Sequence, residues 1–253
     1  MSQNKRAASQ NRRSQVVLDE DDEGSLTQPS VSQVHKAREN FTPVQVDRKV
    51  AEVVQFILIK DQKKVPVRRA DIVKHVIKEY RILYQDIMKR ADRTFEQVFG
   101  LKLVEIDSKN HVYILTNRLE QSRDEPNGMC PGNTKTGLLF VILSVIFMKG
   151  GSVKETLVWN TLKKLRVDAG EKHEEFGDVK KLITDEFVRQ KYLEYVRIPH
   201  TEPLEYEFRW GQRAVSEVSK LKMLQFIAEL HDQEPQSWTL QYREATSTEN
   251  NLR

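Results

Sequence analysis

Residues 192–230 read YLEYVRIPHTEPLEYEFRWGQRAVSEVSKLKMLQFIAEL. Tyr206, Phe208 and Trp210 alternate with Glu205, Glu207 and Arg209, the period of two that puts one set on each face of a strand. Pro199 and Pro203 break the pairing with the strand-like stretch before them, so the loop between stands out as a wing. An amphipathic helix is expected to follow at once, from about Arg213 to Leu230. A hairpin with a long loop, set behind short helices, predicts a winged helix.

The residues upstream supply those helices. The run from Leu138 to Met148 is apolar but for Ser144, about half of what a membrane span needs, and predicts a buried helix that Gly150 and Gly151 stop. Ser152 and Glu155 have capping-box spacing for the next helix, in which Leu157, Val158, Leu162 and Leu165 share a face. Residues 167–175 are polar and loop-like. Asp178 is placed to cap a short helix holding Val179, Leu182 and Ile183, and Thr184 or Asp185 to cap another around Phe187 and Val188.

The same order occurs earlier in the chain. Val46, Val50, Val53, Val54 and Ile57 form one helix face, while Phe56, Leu58 and Ile59 lie off it. A second helix is predicted from Arg69 to Tyr80, with Val73, Val76, Ile77 and Tyr80 inward. A third runs from Tyr84 to Phe99, with Tyr84, Ile87, Met88, Ala91, Phe95, Val98 and Phe99 inward and Gly100 as its left-handed cap. LKLVEI and HVYIL then flank a turn at Asp107 to Asn110. The fold class predicted is α+β, mainly helical: tandem winged-helix units at 44–117 and 137–232. A disordered polar arm (1–43), a Pro/Gly linker (118–136) and a C-terminal tail (233–253) complete the expected division.

Charge and motifs narrow the function. The net charge of +4 is uneven: residues 46–117 carry 15 basic and 10 acidic side chains, residues 136–232 carry 15 of each. The excess in the first unit points toward a polyanion. The single Cys130 excludes a disulfide framework or an internal thiolate zinc site, and the polar start predicts no secretory signal. No GxSxG, HExxH, Walker-type or GxGxxG pattern occurs, and the six histidines lack ligand-like spacing. No cofactor, metal or catalytic residue is expected, and binding is the function class that remains.

LLFVILSVIFMKGG (138–151), FGDVKKLITDEFVRQKYLEY (176–195), RIPHTEPLEYEFRWGQRA (197–214) and SKLKMLQFIAEL (219–230) together resemble the MAGE (melanoma-antigen) homology domain. QFILIKDQKKVPVRRADIVKHVIKEY (55–80) and FGLKLVEID (99–107) are most similar to the non-expanded branch of that family, the third non-SMC elements of SMC five–six complexes. The resemblance covers about residues 44–243. It implies a non-catalytic nuclear, chromosome-associated subunit working in DNA repair and recombination. Such a subunit binds and stimulates a RING-type ubiquitin ligase subunit (the first non-SMC element). It also grips a kleisin subunit (the fourth), lies near the SMC heads, and contacts double-stranded DNA.

Carried onto this sequence, the resemblance puts the family's paired leucines at Ile57 and Leu58; with Phe56 these are the expected RING-partner contacts. The kleisin site is expected on the last helix, at Met223, Leu224 and Phe226, with Val218, Leu221 and Ile227 toward the core. The family's Gly-Pro-Arg is Gly211-Gln212-Arg213 here, and its Gly-Val-Tyr is Arg166-Val167-Asp168. The residues themselves offer two phosphate-binding sets, Lys180, Lys181, Arg189 and Lys191 before the second wing and Lys74, Lys78, Arg90 and Arg93 in the first unit. An adaptor of another ubiquitin ligase, outside any SMC complex, and a winged-helix transcription factor are the alternative readings.

Overall fold

A computed structural model describes residues 41–117 and 134–252, with side chains to 247; most of the expected arm and linker lie outside them. Helix α1 spans Pro43–Asp61. It starts earlier than the apolar pattern indicated, because Thr42 and Gln45 form a capping box and Pro43 opens the first turn. Its five expected inward residues, Val46, Val50, Val53, Val54 and Ile57, are the ones buried. A short strand β1 (Val67–Arg68) leads into α2 (Arg69–Ile72), which continues as a π turn over Val73–Ile77. After a 3-10 turn, α3 (Tyr84–Thr94) ends in a second π turn, Phe95–Phe99. Gly100 closes it at φ 62°, as expected of a left-handed cap. Strands β2 (Leu101–Asp107) and β3 (Val112–Asn117) form the first wing. Asp107 folds its turn: Oδ1 accepts from the backbone N–H of Lys109 and Asn110, Oδ2 from the Asn110 amide, and these bonds hold its carboxyl below the usual range.

The second unit repeats the plan. Helix α4 covers Thr134–Met148, β4 Ser152–Lys154 and α5 Glu155–Lys164. The capping-box reading of Ser152 is corrected: Ser152 lies in β4, paired with Arg209, and Lys154 precedes the helix without a side-chain cap. A two-stranded patch, β5 (Lys172–His173) with β6 (Gly177–Asp178), folds the polar loop. Asp178 caps as expected, accepting from the Lys181 N–H at 2.9 Å. Helix α6 (Val179–Lys181), a third π turn (Leu182–Glu186) and α7 (Phe187–Arg189) then run without a break. No new cap forms at Thr184; its hydroxyl donates back to the Lys180 carbonyl. Strands β7 (Leu193–Arg197) and β8 (Tyr206–Trp210) make the second wing. The two three-stranded sheets have the same order, β1-β3-β2 and β4-β8-β7. The first strand of each sheet is too short to read from period-two alternation.

The last helix is corrected in two ways. It breaks after α8 (Gln212–Glu217), where Val218 and Ser219 are extended, and restarts as α9 (Lys220–Leu230) with Ser219 as its cap. The expected tail forms a further helix, α10 (Thr239–Leu252). Ala245, Trp238 and Tyr242 join the second core, and Glu244 holds Lys220 of α9 at 2.5 Å.

Each unit has its own apolar core. Between them sits Arg213, fully buried. Its Nε donates to the Gln190 carbonyl at 2.9 Å and Nη1 to Glu217 at 2.9 Å, both in the second unit. Across the joint, Nη2 donates to the Lys64 carbonyl at 3.1 Å and Nη1 to the Leu115 carbonyl at 3.4 Å, with Asp61 at 3.6 Å. The guanidinium also lies 5.6 Å from the Tyr192 ring centre. Tyr192 donates to Glu217 at 2.6 Å; burial, then the Glu217 charge, push its phenol pKa up.

Gly211 delivers Arg213 to this place. A Cβ at Gly211 would stand 2.2 Å from the Lys191 carbonyl oxygen, a backbone atom that cannot swing away. That close approach lets Gly211 N–H donate to Tyr192 O at 2.8 Å and Arg213 N–H to Lys191 O at 2.9 Å. Gly211→Ala is therefore expected to lower the unfolding free energy by about 1–3 kcal/mol, read by urea denaturation. An unchanged midpoint would show that the approach is not needed.

Candidate partner and nucleic-acid surfaces

The expected RING-partner residues do not share a surface. Ile57 is 1% exposed and belongs to the core of the first unit, which corrects its reading as a partner contact. Phe56 turns to another side, with its ring 6.2 Å from that of His75 and under Lys60. Leu58, half-buried, lies in a groove between α1 and the end of α3. The groove encloses about 650 Å³, and Val54, Leu58, Ile59, Val98 and Phe99 supply its apolar walls.

Val98 and Phe99 were expected inward. They are 70% and 42% exposed because the π turn at Phe95–Phe99 carries each i→i+5 bond one residue further, so positions three and four after Phe95 no longer share its face. Ile59, 55% exposed, adds to the same wall. Three large apolar side chains open to solvent around one groove form a contiguous apolar patch of the kind that marks an interaction site. The sequence marked Leu58 and Ile59 through their position off the core face; nothing in it marked the π turn.

The expected kleisin contacts also divide. Met223 and Leu224 are 2% and 0% exposed and face the core with Ala228, so their reading as partner contacts is corrected. The break at Val218–Ser219 resets the helical phase, so the face projected forward from Arg213 no longer applies. Val218, Leu221 and Ile227 pack at the core's edge. Phe226 and Leu230 remain outside at 47% and 68% exposure, and Phe226 meets Phe140 of α4 edge-on at 5.5 Å. Phe140 was missed because α4 is apolar all round, which leaves no polar face to show which residues point out.

Lys180, Lys181, Arg189 and Lys191 are all exposed, and the latter two reach a cleft between the units. Lys74, Lys78 and Arg93 are exposed on the first unit. Arg90 is not free for phosphate: it pairs with Asp47 at 2.9 Å and Asp86 at 3.2 Å on the rim of the apolar groove. Among the described residues, no three His, Cys, Asp or Glu gather as a metal site would require.

The split between core and groove has a direct test. Ile57→Ala is expected to cost about 2–5 kcal/mol of stability, and Val98→Ala to stay within about 0.5 kcal/mol, both by urea denaturation. Equal losses would return Val98 to the core.

Compared with known proteins, residues 53–221 match the MAGE homology domain. The chain is 51% identical over 208 residues to the human non-structural maintenance of chromosomes element 3 homolog, covering 82% of this chain and 68% of that protein. To human melanoma-associated antigen D2 it is 47% identical over 194 residues, 77% of this chain and 32% of that one. A chain solved in an Nse1-Nse3-Nse4 complex has a TM-score of 0.78 and 55% sequence identity, over 81% of this chain and all of that one. A repeated helix-and-wing plan, joined through one buried arginine and matched over so much of its length, places this chain in the MAGE homology domain family.

Proposed function

We propose that this chain is a non-catalytic subunit of an SMC five–six complex, bridging a RING-type ubiquitin ligase subunit and a kleisin subunit and stimulating the ligase. The likeness to a chain solved in an Nse1-Nse3-Nse4 complex carries this reading, since it spans that whole chain at 55% identity. The exposed apolar side chains suit it physically. Each unit presents such a surface among the described residues, and large apolar groups at a protein–protein contact are what mutual burial stabilises.

The groove of the first unit is assigned to the ligase subunit, with Leu58, Ile59, Val98 and Phe99 as the contacts. Phe226 and Leu230, beside Phe140, are assigned to the kleisin. Lys180, Lys181, Arg189 and Lys191 contact double-stranded DNA through phosphates, without reading sequence. The place of work is the chromosome, in the nucleus.

A crossed binding experiment tests the assignment. Ile59→Ser/Val98→Ser is expected to weaken the ligase subunit's binding at least about tenfold and leave the kleisin unaffected; Phe226→Ser/Leu230→Ser is expected to do the reverse. Covering one large apolar side chain contributes about 1.5–3 kcal/mol, and about 1.4 kcal/mol is tenfold in affinity. All four positions are exposed or nearly half so, and melting temperatures should stay near the parent's. Binding of both partners unchanged in both variants would contradict the assignment.

A further inference from the structure

We propose that the DNA phosphate track crosses the joint, so that one duplex is held by both units, through Arg68 and Lys109 of the first as well as Arg189 and Lys191 of the second. This rests on the DNA-contact reading and adds to it which parts of the molecule the duplex touches.

The four cations line one open cleft of about 860 Å³. They come from three separate pieces of chain. Arg68 ends β1, Lys109 sits in the turn of the first wing, Arg189 ends α7, and Lys191 lies two residues beyond. All four are exposed, and among the described residues none makes a salt bridge. Neighbouring cations behave differently: Lys64 pairs with Asp61, Lys135 with Glu186, and Arg90 with two aspartates. The cleft thus collects, from both units, four cations held in no salt bridge among the described residues, beside three carboxylates.

Three carboxylates share the lining, Asp71, Asp107 and Glu194. Asp107 is turned into its own wing, where both oxygens accept hydrogen bonds from residues 109 and 110. Glu194 lies opposite Arg209 in the β7–β8 pair, but Arg209 is held by Glu207, so Glu194 and Asp71 stay as acidic groups in the lining. Ser108 and Gln212 add neutral side-chain donors, the kind that accompany Lys and Arg on phosphate oxygens.

A duplex suits the cleft better than an acidic peptide because the cations do not stop at its edge. The rod that ends at Arg189 begins with Lys180 and Lys181, both exposed, and at about 1.5 Å rise per residue they stand roughly 13 Å away. Of the acidic groups lining the hollow between Lys181 and Arg189, Asp178 caps the helix and Glu186 pairs with Lys135, and with Lys109 and Arg68 the exposed cations reach from one unit to the other. A polymer with phosphates at regular intervals meets such a spread of cations along its length, while a short acidic peptide meets part of it.

The test is the salt dependence of binding between the full chain and a short duplex of random sequence, by fluorescence anisotropy from about 50 to 200 mM salt. Arg68→Gln/Lys109→Gln is expected to weaken binding several-fold and flatten the log–log slope by roughly 1.8, about 0.9 for each lost phosphate contact. Arg68→Lys/Lys109→Arg, which keeps the charge, is expected to keep the slope; its flattening too would mean that the positions act through folding, and overturns the proposal. Lys180→Gln/Lys181→Gln reports on the DNA reading itself. A flatter slope in that pair alone overturns the cross-joint track and leaves the DNA reading in place, whereas no binding by the parent chain overturns both. An acidic peptide that binds the parent and not the Arg68→Gln/Lys109→Gln variant, with duplex binding unchanged, assigns the cleft to a peptide and also overturns the proposal.

Discussion

A guanidinium with no solvent contact sits between two units that each have a core of their own. Taking a charge out of water costs several kcal/mol unless every donor finds a partner. Arg213 is supplied by three carbonyls and Glu217, with Asp61 nearby, and two of those carbonyls, at Lys64 and Leu115, belong to the other unit. The burial is satisfied only while the units stay in this arrangement. An apolar side chain of the same size would tolerate many relative positions, but a planar fork of donors tolerates few. The arginine thus specifies how the units meet, whatever its net contribution to stability.

That arrangement decides what the surfaces offer. The end of α1 that supplies Asp61 to the joint also carries Leu58 and Ile59 into the apolar groove. The backbone at Gln190 and Lys191 that accepts from Arg213 also carries Arg189 and Lys191 to the cleft. Phe226 and Leu230 follow about two and three turns of helix after the break at Val218–Ser219. Partner-facing residues are therefore placed by the same short pieces of backbone that form the joint, and shifting the joint would move them together.

Much of this was legible in the sequence, for identifiable reasons. Alternation in 205–210 and the five-residue face of α1 are long, regular patterns, and both appear as read. Gly100, Asp178 and the Asp107 turn have local chemistry that does not depend on the rest of the fold. What failed depends on geometry that periodicity cannot carry. The π turn moved Val98 and Phe99 outward, and the extended Val218–Ser219 pair rotated Met223 inward. The buried role of Arg213 was invisible because its partners are backbone carbonyls as far away in sequence as Lys64. Two-residue β1 and the helix α10 lay below what composition alone distinguishes from loop and tail.

The most direct measurement of the joint is the distance distribution between spin labels at exposed positions on opposite units, Lys78 and Lys163, in a chain with Cys130→Ser, compared with and without Arg213→Met. A single narrow distribution in the parent that broadens or shifts in the variant, with the helix content of both units intact, is the expected result. The same narrow distribution in both would mean that the units hold their arrangement without the arginine, and would contradict this account.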